Sequence, residues 1–306
     1  MPEPSQVSYA HDNPALAREY DSSSDFQVEH GKQLVAELQL RPGDRVLDVG
    51  AGTGRLALHL AELVGAAGEV LAVEPLADRV ALARARAGAN LRVAQARAEE
   101  LTDVPDGHFD AVVLNSVFHW IADQPAALGE ARRVLKPGGQ LALNSADPDR
   151  PHEFVTLLAE ALARQGMPDP AGLVPPHRVN AERFGQLLEQ SGFATIRITP
   201  LSFHDRFADL DHLLRWNQSS YFGNFLPRLD LKGPLQQPLR EALAARTDAE
   251  GLQLQRHLVF AWARKPGGDG RSALTPASAR PGCAGGAPGP GPGSGPGSPP
   301  GAPARS

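Results

Sequence analysis

A short apolar strand that breaks into glycines at alternate positions, RVLDVGAGTG over residues 45–54, restricts this chain to few architectures. The strand reads as buried on both sides, and the following RLALHLAE carries apolar residues at helical spacing, so the segment is a strand, a tight turn and a helix. Gly50, Gly52 and Gly54 let the backbone bend sharply and let a ligand approach without a Cβ in the way. Where the dinucleotide fingerprint wants its last glycine the chain has Arg55, which argues against NAD or FAD. Glu74 ends the next apolar run, where a carboxylate accepts the ribose hydroxyls of an adenosyl group; the competing assignment is a simple helix-start residue before Pro75. Asp48, the three glycines and Glu74 therefore describe a nucleoside pocket at the edge of a sheet.

The rest of the chain repeats this rhythm. Candidate strands fall at Arg45–Val49, Val70–Val73, Leu91–Ala94, Ala111–Leu114, Leu141–Asn144, Thr195–Thr199 and Leu254–Ala261. Candidate helices fall at Arg55–Leu63, Ala77–Ala87, Pro125–Val134, Pro151–Gln165 and Ala181–Gln190, with Asp123, Asn180 and Gly192 as end signals. This predicts an α/β protein with a Rossmann-like, seven-stranded, mostly parallel sheet and helices on both faces. Residues 1–43 and the stretch from 201 to the last strand fall outside the rhythm, and both are placed as helical lid over the carboxyl ends of the strands, where such sheets bind ligands. The expected division is thus an N-terminal lid at 1–43, a core at 44–200, a lid insertion plus last strand at 201–265, and a tail at 266–306. That tail is dominated by Gly and Pro with almost no large apolar side chain, so it is expected to be disordered.

Composition narrows the function. A net charge of -5 offers no general attraction to nucleic acid, and Arg79, Arg84, Arg86, Arg92 and Arg97 are read as a solvated helix face and its following strand. The single cysteine, Cys283, lies in the Gly/Pro tract, leaving no disulfide and no cysteine metal cluster, and the histidines show no ligand spacing. The chain shows no export segment and no apolar run long enough to span a membrane, so a cytoplasmic location is expected, without metal, membrane or nucleic-acid partner.

Several further segments, VLAVEP, ARAEEL, FDAVVLNSVFHWIADQPAALGEARRVLKPGG and LLEQSGF, complete a pattern over about residues 20–200. In these motifs the chain resembles the class I S-adenosylmethionine-dependent methyltransferases, specifically the small-molecule group similar to ubiquinone/menaquinone-biosynthesis and trans-aconitate methyltransferases. The resemblance implies S-adenosyl-L-methionine as cofactor. It implies that Asp48 and the glycines receive the methionine moiety, Glu74 the ribose, and Ala98 and Glu99 the adenine, while Asn115 lines the pocket near the sulfonium. Tyr20 and Gln27 match the lid segment that closes over the cofactor in that family. Arg97 departs from it, standing where many members have an aspartate that bonds the adenine amino group; an arginine cannot accept that bond.

Methyl transfer from a sulfonium is an in-line displacement by an already activated donor, so the protein supplies orientation, desolvation and, for a protonated nucleophile, a base. His119 and Trp120 follow the fourth strand, where a neutral imidazole removes a proton or donates a hydrogen bond; equally, the pair packs a loop and forms the pocket wall. His30, His152, His204 and His212 have no spacing that recommends them. Trp216 and Tyr221, with Phe222 and Phe225, form either an aromatic lid over an organic acceptor or ordinary helix packing. The expected reaction is methylation of a small organic acceptor, with oxygen favoured. The alternatives are a non-catalytic protein that keeps the fold and a nicotinamide-dependent oxidoreductase, the latter opposed by Arg55 and the lack of a Tyr-x3-Lys pair.

Overall fold

The computed structural model describes residues 8–167, 175–224, 233 and 235–267. The expected disorder of the tail and the aromatic role of Phe225 lie outside the described residues, apart from Pro266 and Gly267. The sheet has strand order β3-β2-β1-β4-β5-β8-β6, with a short β7 (Thr247–Asp248) pairing only with β8. β1 (Arg45–Val49), β2 (Glu69–Glu74), β3 (Leu91–Gln95), β4 (Phe109–Leu114) and β5 (Leu135–Ala146) pair in parallel, while β8 (Gly251–Arg264) lies antiparallel between β5 and β6 (Ala194–Phe207). The expected Rossmann-like architecture is what the chain adopts.

Each face of the sheet buries its own apolar layer. On one face, Leu34 and Val35 of α2 (Asp25–Ala36) and Leu56, Leu60 and Val64 of α3 (Arg55–Val64) pack on Val46, Val70, Ala111 and Phe260. On the other, Leu128 and Ala131 of α5 (Gln124–Val134) and Phe184 and Leu187 of α7 (Ala181–Gln190) pack on Leu47, Val112 and Leu141. Capping sets the ends of these helices: Asp123 accepts a hydrogen bond from Ala126 N, and Asn180 one from Arg183 N. Gly54 opens α3 with φ of +84°, and a Cβ there would sit 2.9 Å from that of Ala83 in α4 (Ala77–Ala85).

The last two strands are longer than the sequence pattern indicates. β6 and β8 pair from Ala194 and Arg264 out to Phe207 and Leu252, so residues 201–207 belong to a strand and not to a lid. Charged residues on this extension hid it, because Asp205 and Arg256 interrupt an otherwise apolar alternation. A third cluster covers the extension: Phe154, Leu158 and Leu162 of α6 (Glu153–Arg164), Leu213 and Trp216 of α8 (Leu210–Ser220), and Leu239 and Leu243 of α9 (Gln236–Ala244) surround Phe207, Leu252 and Leu254.

The N-terminal segment is tied to α4 by charge. Arg79 and Arg86, read above as solvated, are structural. Arg79 is buried, with side-chain exposures of 5% and 4% for it and its partner Asp12, and it also donates to Ser219 O at 2.8 Å. Its guanidinium lies over the rings of Tyr20 (4.4 Å) and Phe222 (4.8 Å). Arg86 Nη2 donates to both carboxylate oxygens of Asp21 of α1 (Pro14–Ser23), and its Nη1 donates to Thr53 O. Arg84, Arg92 and Arg97 are exposed, as expected.

Candidate active site

A large cavity opens over the carboxyl ends of β1, β2, β4 and β5 and is roofed by α1 and α8. It encloses about 1230 Å3 of space, its open mouth included. A smaller pocket adjoins it, sharing Tyr20, Gln27, Gly50 and Asn115 and reaching Asp48, Thr53 and Arg55.

The end of β2 sets the first half of the site. Glu74 is buried; one carboxylate oxygen accepts from Gly52 N at 2.9 Å and the other from Leu76 N at 3.1 Å. Those bonds fix the carboxylate and leave each oxygen a further lone pair for a ligand hydroxyl. Burial raises the Glu74 pKa, opposed by Arg79 and the two backbone donors. Beside it, Pro75, Leu76, Ala98, Val117 and Ile121 form an apolar slot of the kind a purine fills, with Glu99 at its rim. Arg97 pairs with Glu99 at 3.2 Å, so the departure noted in the sequence is matched by a carboxylate two residues on.

Gly50 has φ of +70°, and a Cβ on it would meet Val117 Cγ2 at 2.3 Å, so a side chain is excluded twice over. Asp48, at the end of β1, is buried with Oδ2 lacking any hydrogen-bond partner. Burial and, second, the nearby Glu74 push its pKa up to about 7. A buried carboxylate oxygen without a donor wants a cation. The ammonium of a methionine moiety would supply one. The residues present thus fit S-adenosylmethionine: an orphaned oxygen for its ammonium, a held carboxylate for its ribose and an apolar slot for its base.

A binding prediction follows from Asp48. Its pKa in the free protein lies above the ordinary carboxylate value, so an ammonium ligand that requires the ionised form displaces a proton below about pH 7. Affinity for S-adenosylhomocysteine should rise with pH up to about 7 and level off above it. Calorimetry near pH 6 in buffers of different ionisation enthalpy should show close to one proton released in the wild type and none in Asp48→Asn; equal release in both would remove this role.

The second half of the site comes from elements far apart in sequence. Asn115 spends its amide on structure, donating to Gln27 O at 2.9 Å and accepting from Asn144 Nδ2 at 2.8 Å, which joins α2 to β5 beside the cavity. Gln27 accepts from Trp216 Nε1 at 3.1 Å, linking α2 to α8. Trp120 packs edge-on against Tyr221 and Phe222 in the cavity wall. His119 is buried; its Nδ1 accepts from Ala146 N at 3.1 Å, which leaves the proton of the neutral ring on Nε2. Burial first, then Arg256 and Arg178, lower its pKa to about 3. Every site residue named from the sequence except Asp48 and Gly54 lines this main cavity; Asp48 lines the adjoining pocket and Gly54 holds α3 against α4.

The structure adds a cluster that sequence spacing missed. Asp205 is buried, with Oδ1 3.4 Å from His30 Nε2 and Oδ2 facing His152 Nε2 at 3.6 Å and the Arg256 guanidinium. Burial opposes its ionisation, but Arg256 and His152 hold its pKa at about 2. His152 also caps α6, accepting from Phe154 N at 3.1 Å. The only local sign was Arg256 itself, a charge on the strand face that otherwise carries Leu258, Phe260 and Trp262. Among the described residues no group of three or more His, Cys, Asp or Glu is placed to hold a metal ion, and no helix is long and apolar enough to cross a membrane.

The strand order, the glycine turn and the carboxylate at the end of β2 belong to one Rossmann-like sheet, and residues 47–143 match the family described as a methyltransferase domain. The chain carries this match from β1 into β5. It is 40% identical over 131 residues to an arsenite methyltransferase of Aquipseudomonas alcaligenes, a match covering 40% of this chain and 38% of that protein. It is 39% identical over 116 residues to the ubiquinone/menaquinone biosynthesis C-methyltransferase UbiE of Azotobacter vinelandii, covering 36% of this chain and 46% of that one. The chain therefore spans less than half the length of either relative. Among solved structures, the YcgJ protein of Bacillus subtilis superposes with a TM-score of 0.55 at 20% identity, over 78% of this chain and all of that one. A methyltransferase-like protein of Bacillus halodurans gives 0.52 at 22% identity, over 78% and 99%. These two likenesses concern the fold.

Proposed function

We propose that this protein transfers the methyl group of S-adenosylmethionine to a small organic acceptor, with oxygen the favoured nucleophile. The observation that carries this reading is the presence, in one cavity, of the held Glu74 carboxylate together with His119, Trp120, Trp216 and Tyr221. The cofactor supplies an activated methyl group; the chain binds it through Asp48, the glycine turn and Glu74, with Ala98 and Glu99 at its adenine end. α1, α2 and α8 act as the lid, holding Tyr20, Gln27 and Trp216 over the cavity and shielding the reaction from water.

His119 acts as a hydrogen-bond donor and not as a base. Its Nδ1 lone pair is engaged by Ala146, its Nε2 carries the proton, and the ring stays neutral. The donor is aimed at an oxygen of the acceptor. His119→Asn, which keeps a donor, should retain most of kcat/KM, whereas His119→Ala should lose about 10- to 100-fold, as expected for a hydrogen bond to a charged group. A wild-type kcat/KM profile that falls on the acid side near the usual histidine pKa, and loses that limb in His119→Asn, would restore the base.

The relatives methylate arsenite and quinone carbon according to their names. Arsenite is disfavoured here because thiolates hold arsenic and the sequence has only Cys283. The test is calorimetric titration with S-adenosylmethionine and S-adenosylhomocysteine, followed by labelled-methyl transfer to a small-molecule extract. Binding with transfer is expected; no binding of either ligand sinks the proposal, and binding without transfer to any acceptor returns the chain to a non-catalytic role.

A further inference from the structure

Among the described residues, the acceptor end of the cavity holds a positive charge with no partner. Arg178 lines the cavity and makes no hydrogen bond or ion pair among the described residues. Arg256 lines it too, and its Nη2 is buried without a partner, while its Nε is bound to Asp205. The Arg256 guanidinium lies over Trp216 at 4.7 Å and Phe26 at 5.2 Å, and its side chain is 13% exposed. Both guanidiniums act on the same two rings, His119 and Tyr221, which places them around one recess.

The local carboxylates are already engaged. Asp205 faces Arg256, His152 and His30, and Asp147 accepts from Arg150 Nε at 3.0 Å and from Asp149 N. At the cofactor end Arg79 is matched by Asp12 and Arg97 by Glu99. In the acceptor recess, pairing Arg256 with Asp205 and Arg150 with Asp147 leaves Arg178 as the uncompensated charge. A buried donor without an acceptor costs free energy that a ligand recovers on binding.

We propose that the acceptor is an organic carboxylate, anchored by Arg256 and Arg178, with the His119 Nε2 proton as a third donor beside them. Among the described residues the acceptor recess carries one unmatched positive charge, which a monoanion balances and a dianionic phosphate overshoots. A planar carboxylate also matches the guanidinium fork with two parallel bonds. Apolar walls from Trp120, Val155 and Leu258 would hold the body of such a molecule. The anchoring carboxylate rests on the methyltransferase reading, because it assigns that reaction's acceptor.

The test uses the whole protein saturated with S-adenosylhomocysteine and titrates benzoate, phenylacetate, hexanoate and glutarate against benzamide, phenylacetamide and phenyl phosphate. The carboxylates should bind at least about tenfold more tightly than their amides, from the charge-assisted bonds an amide lacks, and more tightly than the phosphate ester. Arg256→Lys keeps a cation beside Asp205, so the fold is preserved, but it removes the fork; Arg178→Ala removes the unpaired charge from a part-exposed site. Each should erase most of the carboxylate preference while S-adenosylhomocysteine binding is unchanged. Equal binding of acids and amides, a preference for the phosphate, or a preference that survives both substitutions overturns the proposal. Failure of S-adenosylhomocysteine to bind overturns the methyltransferase reading instead, so the two failures are distinguishable.

Discussion

Arg79→Met should destabilise the protein by about 3–5 kcal/mol, the usual result of leaving one member of a buried ion pair uncompensated. Asp12 would keep its charge with 4% of its side chain exposed, Ser219 O would lose a charged donor, and the rings of Tyr20 and Phe222 would lose the cation between them. Urea unfolding followed by tryptophan fluorescence reports this directly, since Trp120 and Trp216 sit in the cavity wall and roof. Adding Asp12→Asn to Arg79→Met should recover a large part of the loss, because the stranded charge is then gone. The single variant should also weaken S-adenosylhomocysteine binding, as Tyr20 is brought to the cavity by the same helix. An Arg79→Met protein within 1 kcal/mol of wild type, or a double variant no better than the single, would mean that the clamp is not what seats α1.

The same residue shows what a sequence carries and what it hides. α7 begins and ends at Ala181 and Gln190, where the sequence places it, because Asn180 before it and Gly192 after it are local signals. The glycine turn and Glu74 are equally local: their chemistry follows from a strand end and a tight bend. Arg79 and Arg86 look like any helix-surface arginines until the N-terminal segment, distant in sequence, supplies Asp12 just before α1 and Asp21 within it. The cluster of His30, His152, Asp205 and Arg256 joins four separated segments, so no spacing announces it. Charges that satisfy one another inside a fold read as surface charges in a sequence, and β6 was cut short for that reason at the residues leading to Asp205.

That asymmetry maps onto function. The cofactor half of the cavity is built mainly from strand ends and the turns that follow them, short pieces whose backbone geometry sets their residue types. The acceptor half is built from α8, the far end of β8 and the loop after β4, where side chains are chosen by what they must hold.

Glu74→Ala should weaken S-adenosylhomocysteine binding by about 2 kcal/mol, or roughly 30-fold, through loss of charge-assisted bonds to the ribose hydroxyls. The variant also strips Gly52 N and Leu76 N of their acceptor, so the turn loses definition just where the ligand lies. A second readout separates ribose binding from this structural effect. Glu74 is one cause of the raised Asp48 pKa, so removing its charge should lower the pH at which S-adenosylhomocysteine affinity levels off. Glu74→Gln keeps a carbonyl oxygen for one backbone donor and should fall between wild type and Glu74→Ala in affinity, yet shift the pH profile as far as the alanine does. Calorimetric titrations of the three proteins across about pH 5.5 to 8 check both. An alanine variant that binds within threefold of wild type removes Glu74 from the ribose site; a full loss of affinity with an unmoved pH profile keeps it there but uncouples it from Asp48.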